Sequence, residues 1–160
     1  MGNAGSGKST LARRLAARHG CRVLDLDTVA WEADAPTVLR DAARAGAEVA
    51  DFCRNTRDWV VEGCYAALIR QTLQHQPILL FLDPGAEACV AHCRERPWEP
   101  HKFASREAQD AALPFLLDWV RAYDTRDDDM SRGAHEGLFA AYAGPKRRLA
   151  ARRADGEWTS

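Results

Sequence analysis

The chain has 160 residues, 46% hydrophobic and 28% charged, with 22 Lys+Arg against 23 Asp+Glu and a net charge of −1. This composition excludes a disordered chain, and the balanced charge leaves no basic footprint for nucleic-acid binding. The longest clean apolar run, Ile78–Leu82, falls far short of the ~20 residues of a membrane helix, so neither a membrane nor a nucleic acid is expected as partner. One domain over 1–160 suits this length. Five cysteines without a CxxC pair give no disulfide framework, and a reducing, cytoplasmic setting is expected.

Helix and strand patterns alternate along the chain. From Lys8 to His19, Leu11, Ala12, Leu15 and Ala16 recur on one side, and Gly20 stops the helix. Cys21–Leu26 reads as a short strand ending near Asp27. Ala35–Asn55 is Ala-rich and reads as helix. Trp59-Val60-Val61 is β-branched and aromatic, a strand before Gly63, and Ala66–Gln74 follows as a short helix. Ile78–Leu82 is the best buried strand, punctuated by Asp83-Pro84-Gly85, and Ala86–Arg94 returns to helix. Pro97–Ser105 is irregular. Ala108–Tyr123 has a helical period, with a kink or a break expected at Pro114. A last helix covers about Ser131–Tyr142, and Lys146–Ala150 suits a closing strand. The class is α/β, a parallel sheet covered on both faces.

The strongest motif is Gly2-Asn3-Ala4-Gly5-Ser6-Gly7-Lys8-Ser9-Thr10, which fits GxxxxGK[ST] without a mismatch. Its glycines let backbone N–H groups converge on phosphate oxygens, and the helix that follows adds its N-terminal partial charge. Lys8 is expected to neutralise the β/γ oxygens of ATP, and Ser9 to offer a hydroxyl to Mg²⁺. A phosphate loop usually leaves a buried strand. Only Met1 precedes Gly2 here, so a truncated start is expected, with the first strand largely missing.

Phosphoryl transfer also needs carboxylates. Asp25 and Asp27 share one face at a strand end, the edge where parallel sheets bind ligands. Asp27 serves either substrate or magnesium, or caps the following turn. Glu62 ends the Trp59–Val61 strand and either holds a magnesium-bound water or is a plain strand-end charge. Asp83 suits a turn better than a metal site.

Gly2–Thr10, Leu24-Asp25-Leu26-Asp27 followed by Trp31, Trp59–Tyr65 and Leu79–Pro84 together resemble small bacterial adenylate-kinase-like P-loop kinases, some of them labelled DNA topology modulation proteins. Asp-x-Asp after the second strand is also similar to shikimate-kinase-like enzymes. The resemblance implies a three-layer P-loop NTPase fold with sheet order 2-3-1-4-5 and a helical lid over about residues 94–130. Arg126-Asp127-Asp128-Asp129 is similar to the Arg-x-Asp-Asp that ends such a lid, which implies that Arg126 reaches the transferred phosphate. The same run reads equally as a solvated loop. Arg94 or Arg96 opens the lid and is expected to grip phosphate. Arg132 stands near the place of a second lid arginine.

Cys89, His92 and Cys93 lack metal-site spacing, and Cys21, Cys53 and Cys64 read as small apolar fillers. Trp31 is placed to line an acceptor pocket. The expected function is an ATP·Mg²⁺-dependent kinase with a small-molecule or nucleotide acceptor. The alternative is a nucleotide-binding regulatory module with slow ATP hydrolysis and no acceptor.

Overall fold

The computed structural model describes residues 1–32, 35–100, 103–152 and 158–159. Its first helix, α1, spans Lys8–His19, and Gly20 ends it by donating its N–H to the Ala16 carbonyl at 2.8 Å. Strand β1 (Arg22–Asp25) then leads into a single-turn helix, α2 (Asp27–Ala30). Two short strands, β2 (Trp31–Glu32) and β3 (Ala35–Leu39), pair antiparallel with Trp31 opposite Leu39. Helix α3 follows over Ala42–Asn55.

The Ala35–Asn55 segment is therefore not one helix. Its first five residues are strand, because Pro36 and the β-branched Thr37 and Val38 favour extended backbone. The helix waits for a proper cap: the Asp41 carboxylate accepts the Arg44 N–H at 2.9 Å. Arg40 fastens this junction by donating to the Val29 carbonyl and pairing with Glu48 at 2.9 Å.

Strand β4 (Trp59–Glu62) runs into α4 (Ala66–Thr72) and a 3₁₀ turn at Leu73–His75. Strand β5 (Leu79–Leu82) and α5 (Ala86–Arg94) come next. Pro97–Ser105 carries no helix or strand where it is described, and His101 and Lys102 lie outside the described residues. Helix α6 (Arg106–Arg121) runs on across Pro114 as one helix, so the two-helix alternative does not hold. Pro114 and Asp110 are both exposed, so the carbonyl freed by the missing N–H can bond water. After a 3₁₀ turn at Ala122–Asp124 come α7 (Arg132–Ala141) and β6 (Lys146–Leu149). The short strands β7 (Ala151–Arg152) and β8 (Trp158–Thr159) form a terminal antiparallel pair.

The class is mixed α/β with short parallel sheets. β1 pairs in parallel with β4, Arg22 beside Trp59 and Asp25 beside Glu62. β5 pairs in parallel with β6, Leu79 beside Lys146 and Leu82 beside Leu149. These two pairs are separate among the described residues, and only an isolated parallel bridge from Gly2 to Leu82 extends the second. A cavity of about 600 Å³ lies along β4 and β5, lined also by Leu11, Leu15, Ile69 and Thr72. Among the described residues no helix is long and apolar enough to cross a membrane.

Two apolar clusters hold these pieces. The larger gathers Leu26, Val29, Val49, Phe81 and Leu138. The smaller joins Cys89, Val90 and Cys93 of α5 to Leu117 and Val120 of α6. Gly63 is a pinch point in the first, because an added Cβ would stand 2.7 Å from Leu26 Cβ and 2.9 Å from its Cδ1. Overpacking of this kind costs ~1–3 kcal/mol. Gly63→Ala should lower the urea midpoint accordingly, and should cost clearly less in a Leu26→Gly background, which removes the Cβ and the Cδ1 alike; equal costs in both backgrounds would remove the steric explanation.

Candidate functional site

The glycine-rich loop lies flat on α5. Gly5 and Gly7 have φ of 77° and 92°, a left-handed region that L side chains rarely enter. A Cβ on Gly5 would collide with the Cys89 carbonyl and with Cys93 Sγ. His92 Nδ1–H donates to the Gly5 carbonyl at 2.9 Å, since a carbonyl only accepts. Asn3 is buried, its Nδ2 donating to the Val120 carbonyl at 2.9 Å and its Oδ1 accepting the Ala4 N–H at 2.8 Å. The loop thereby touches both α5 and α6.

Helix α1 opens straight from this loop. It has no side-chain cap and no acidic residue in its first turn, so its positive end is left unquenched. The first turn carries Lys8, Ser9 and Thr10, with Ser9 exposed. Lys8 Nζ donates to the Asn3 carbonyl at 2.9 Å, and the Ser6 N–H reaches the same oxygen at 3.2 Å. The Ser6 hydroxyl is fully buried and has no hydrogen-bond partner among the described residues. Gly2 through Thr10 thus form one loop and helix start, with a cation folded over it.

The strand-end acids sort by their partners. Asp25 and Glu62 are register partners, and the Leu26 N–H closes onto the Glu62 carbonyl at 2.8 Å. The Asp25 carboxylate accepts the Asp27 N–H at 3.0 Å, so the cap expected of Asp27 is supplied by Asp25. Asp27 instead accepts the Tyr65 hydroxyl at 2.9 Å, and that oxygen accepts the Trp31 indole N–H at 2.6 Å. Burial and the Asp27 charge push the Tyr65 phenol well above its ordinary range. Trp31 and Tyr65 meet edge to face at 6.5 Å, which fixes the ring whose hydroxyl reaches Asp27. Tyr65 belongs to the Trp59–Tyr65 stretch of the resemblance, but nothing in the sequence singles it out.

Glu62 is 6% exposed, and its carboxylate makes no hydrogen bond with another described residue. The nearby Met1 ammonium is pushed down to about 5, by burial first and by Lys8 second, with Glu62 holding it up in part. Among the described residues no group of three His, Cys, Asp or Glu side chains is placed to hold a metal ion. A cation at this edge would have to share Ser9 and Glu62 with a ligand's own oxygens, a donor set that suits Mg²⁺.

The segment expected to be a lid is largely packed down. Arg94 is exposed at the end of α5, while Arg96 pairs with Glu99 at 3.2 Å. The Arg126 guanidinium lies 3.7 Å over the Trp119 ring and binds Asp128 and the Met130 carbonyl. Asp129 accepts the Ala67 N–H at 2.9 Å at the start of α4, so Asp127–Asp129 is not a solvated loop throughout. Arg132 is not available as a second lid arginine, because it binds Asp83 at 2.7 Å and also Asp124. Asp83 is held by Arg132 and Arg148, and these two outweigh its burial and keep its carboxyl below the usual range. That arrangement agrees with reading Asp83 as structural.

The cysteines are free thiols. Burial pushes Cys53 and Cys64 up to about 11 and Cys89 to about 12. They behave as apolar fillers.

One buried polar chain connects the site to the far helix. The Tyr123 hydroxyl donates to His135 Nδ1 at 2.5 Å, and His135 Nε2–H donates to the Cys64 carbonyl at 2.7 Å. This histidine fixes the turn between Glu62 and Tyr65. It gave no periodicity or motif signal. No protein-family model and no curated protein matches the chain.

Two outcomes follow from these contacts. Burial pushes His135 down from 6.5 to about 4, whereas the unfolded chain protonates at the ordinary value. The folded state therefore binds fewer protons between those values, and up to about 3 kcal/mol of stability present above pH 6.5 is lost as pH falls toward 4. Urea midpoints from pH 7 to 4 should decline less in His135→Gln than in the parent. Arg126→Ala should lower the melting temperature, since the stacked cation alone is worth ~0.5–2 kcal/mol. An unchanged melting temperature would show the stacking to be energetically idle.

Proposed function

We propose that this chain is an ATP-dependent phosphotransferase of the P-loop kinase class, moving the γ-phosphoryl group of ATP·Mg²⁺ to a hydroxyl acceptor. The observation that carries the reading is the loop Gly2–Thr10, with left-handed Gly5 and Gly7, an uncapped α1 start and Lys8 folded over it. Such a concavity of N–H groups and positive charge suits a polyphosphate. The family likeness implies the three-layer P-loop fold for the same chain.

In this reading Lys8 moves from the Asn3 carbonyl to the transferred phosphate. Ser9 and Glu62 hold Mg²⁺ together with the nucleotide oxygens, and the metal supplies charge neutralisation. Asp27, oriented by Tyr65 and Trp31, accepts the acceptor's hydroxyl proton or a hydrogen bond from it, and Asp25 shapes the turn that carries it. Arg94 is the lid-side cation that is exposed and able to reach, whereas Arg126 would first have to leave Trp119. Catalysis is positioning and electrostatics. A second reading, a nucleotide-binding module with slow hydrolysis, is favoured by one observation: the large cavity is lined by Lys8 and Glu62 but by neither Asp25 nor Asp27.

ADP release measured with and without a panel of hydroxylated acceptors separates the two. An acceptor-stimulated rate supports the kinase, and a flat slow rate supports the module. Lys8→Ala should lower turnover by ~10²–10³, the loss of about 3–4 kcal/mol of transition-state stabilisation. Its melting temperature should barely move. Glu62→Gln should weaken Mg²⁺-dependent turnover more than Mg²⁺-free nucleotide binding, and equal loss in both would make Glu62 structural.

A further inference from the structure

One peptide unit sets the face that the glycine-rich loop presents. Asn3 to Ser6 form a tight turn, closed by the Ser6 N–H on the Asn3 carbonyl at 3.2 Å, with Gly5 at φ 77° in its third position. A positive φ at that position is the mark of a type II turn and calls for glycine. Lys8 Nζ reaches the same Asn3 oxygen at 2.9 Å, so the Ser6 N–H points to where the ammonium sits. The Gly5 carbonyl belongs to the same peptide unit as this N–H. Across a trans peptide the two point in opposite directions, and every peptide among the described residues is trans. The orientation of this unit therefore decides whether an N–H or an oxygen faces the side where Lys8 stands.

Helix α5 holds that orientation. His92 Nδ1–H donates to the Gly5 carbonyl at 2.9 Å, and among the described residues no other donor reaches that oxygen. The loop is pressed against α5 here, since a Cβ on Gly5 would stand 2.3 Å from the Cys89 carbonyl oxygen. Backbone N–H groups inside a helix are used by their own i−4 carbonyls, so the helix backbone has no donor to give. The His92 side chain supplies it. His92 is exposed, so it is not there to fill the core.

We propose that His92 is a positioning residue of the phosphate loop: by holding the Gly5 carbonyl on α5, it keeps the Ser6 N–H turned toward the anion's side. The proposal rests on reading the loop as a polyphosphate site. Without the histidine's bond, a peptide that follows glycine turns over easily, and the turned unit puts an oxygen where a phosphate needs a donor. Affinity then falls by the fraction of loops left in the competent orientation. A bound phosphate holds the N–H itself, so turnover at saturation is spared.

The test compares the full chain with His92→Phe, which keeps a ring and loses the donor, and His92→Asn, whose amide N–H stands about where Nδ1–H does. Binding is measured with Mg²⁺-tripolyphosphate and with Mg²⁺-ATP. His92→Phe should raise both dissociation constants by one factor, about three- to tenfold, the range that one hydrogen bond sets. His92→Asn should stay within about twofold of the parent. In ADP release, the KM for ATP should rise by the same factor in His92→Phe while kcat holds. The Ser6 amide of the nucleotide-free protein should exchange faster in His92→Phe than in His92→Asn. Unchanged dissociation constants in His92→Phe would overturn the proposal, as would an equal loss in His92→Asn. A loss confined to ATP would also overturn it, by placing His92 against the nucleoside. A parent that binds neither probe would overturn the polyphosphate reading itself, and this proposal with it.

Discussion

The closeness of the glycine-rich loop to α5 is the constraint on which the site depends. At Gly5 there is no room for a Cβ between the loop and the Cys89 carbonyl. The loop can lie there only if α5 presents a flat surface, and α5 is held by the small cluster it shares with Leu117 and Val120 of α6. Asn3 completes the clamp by reaching the Val120 carbonyl across 117 residues of sequence. A segment that reads as a lid in sequence thus doubles as the backing of the loop. Small thiol side chains suit this seam, since Cys89 and Cys93 fill space without polar demands on it.

Charge is distributed by the same economy of partners. Asp83 pairs with two arginines, Asp27 accepts a hydrogen bond from a phenol that is itself fixed by an indole, and Asp129 accepts one from the backbone of α4. Asp41 and Ser131 cap α3 and α7. Buried acids are costly unless paired. The Glu62 carboxylate is buried without a hydrogen bond among the described residues, and in the proposed function it would face the cation of a bound ligand. His135 supports the turn around it by spending both ring nitrogens on protein groups.

Elements with strong local signals were legible in the sequence. Ala86–Arg94 matches helix α5 to the residue, because Gly85 and the loop after Arg94 punctuate it. Ala35–Asn55 was misread because alanine content outweighed Pro36 and the β-branched pair behind it. Pro114 was overweighted, since the rule assumes a buried carbonyl and this one faces solvent. The loop Gly2–Thr10 was legible because its glycines sit where the backbone needs them. Tyr65, Asp129 and the Arg132–Asp83–Arg148 group were not, because each acts through a partner 34 to 65 residues away. Long-range pairing leaves no periodicity to read.

Lys8 is tied to the loop through one backbone carbonyl. Its ammonium sits on the Asn3 carbonyl, and that oxygen also accepts the Ser6 N–H. A carbonyl has two lone pairs, so losing the lysine leaves one bond in place and no orphaned acceptor. In the proposed function the lysine can therefore swing to a phosphate without stranding a buried polar group behind it. The loop keeps its shape through the Asn3 side chain, His92 and the glycines, contacts in which the lysine takes no part. Movement of the cation is thus cheap, while movement of the loop would break the clamp on α5 and α6.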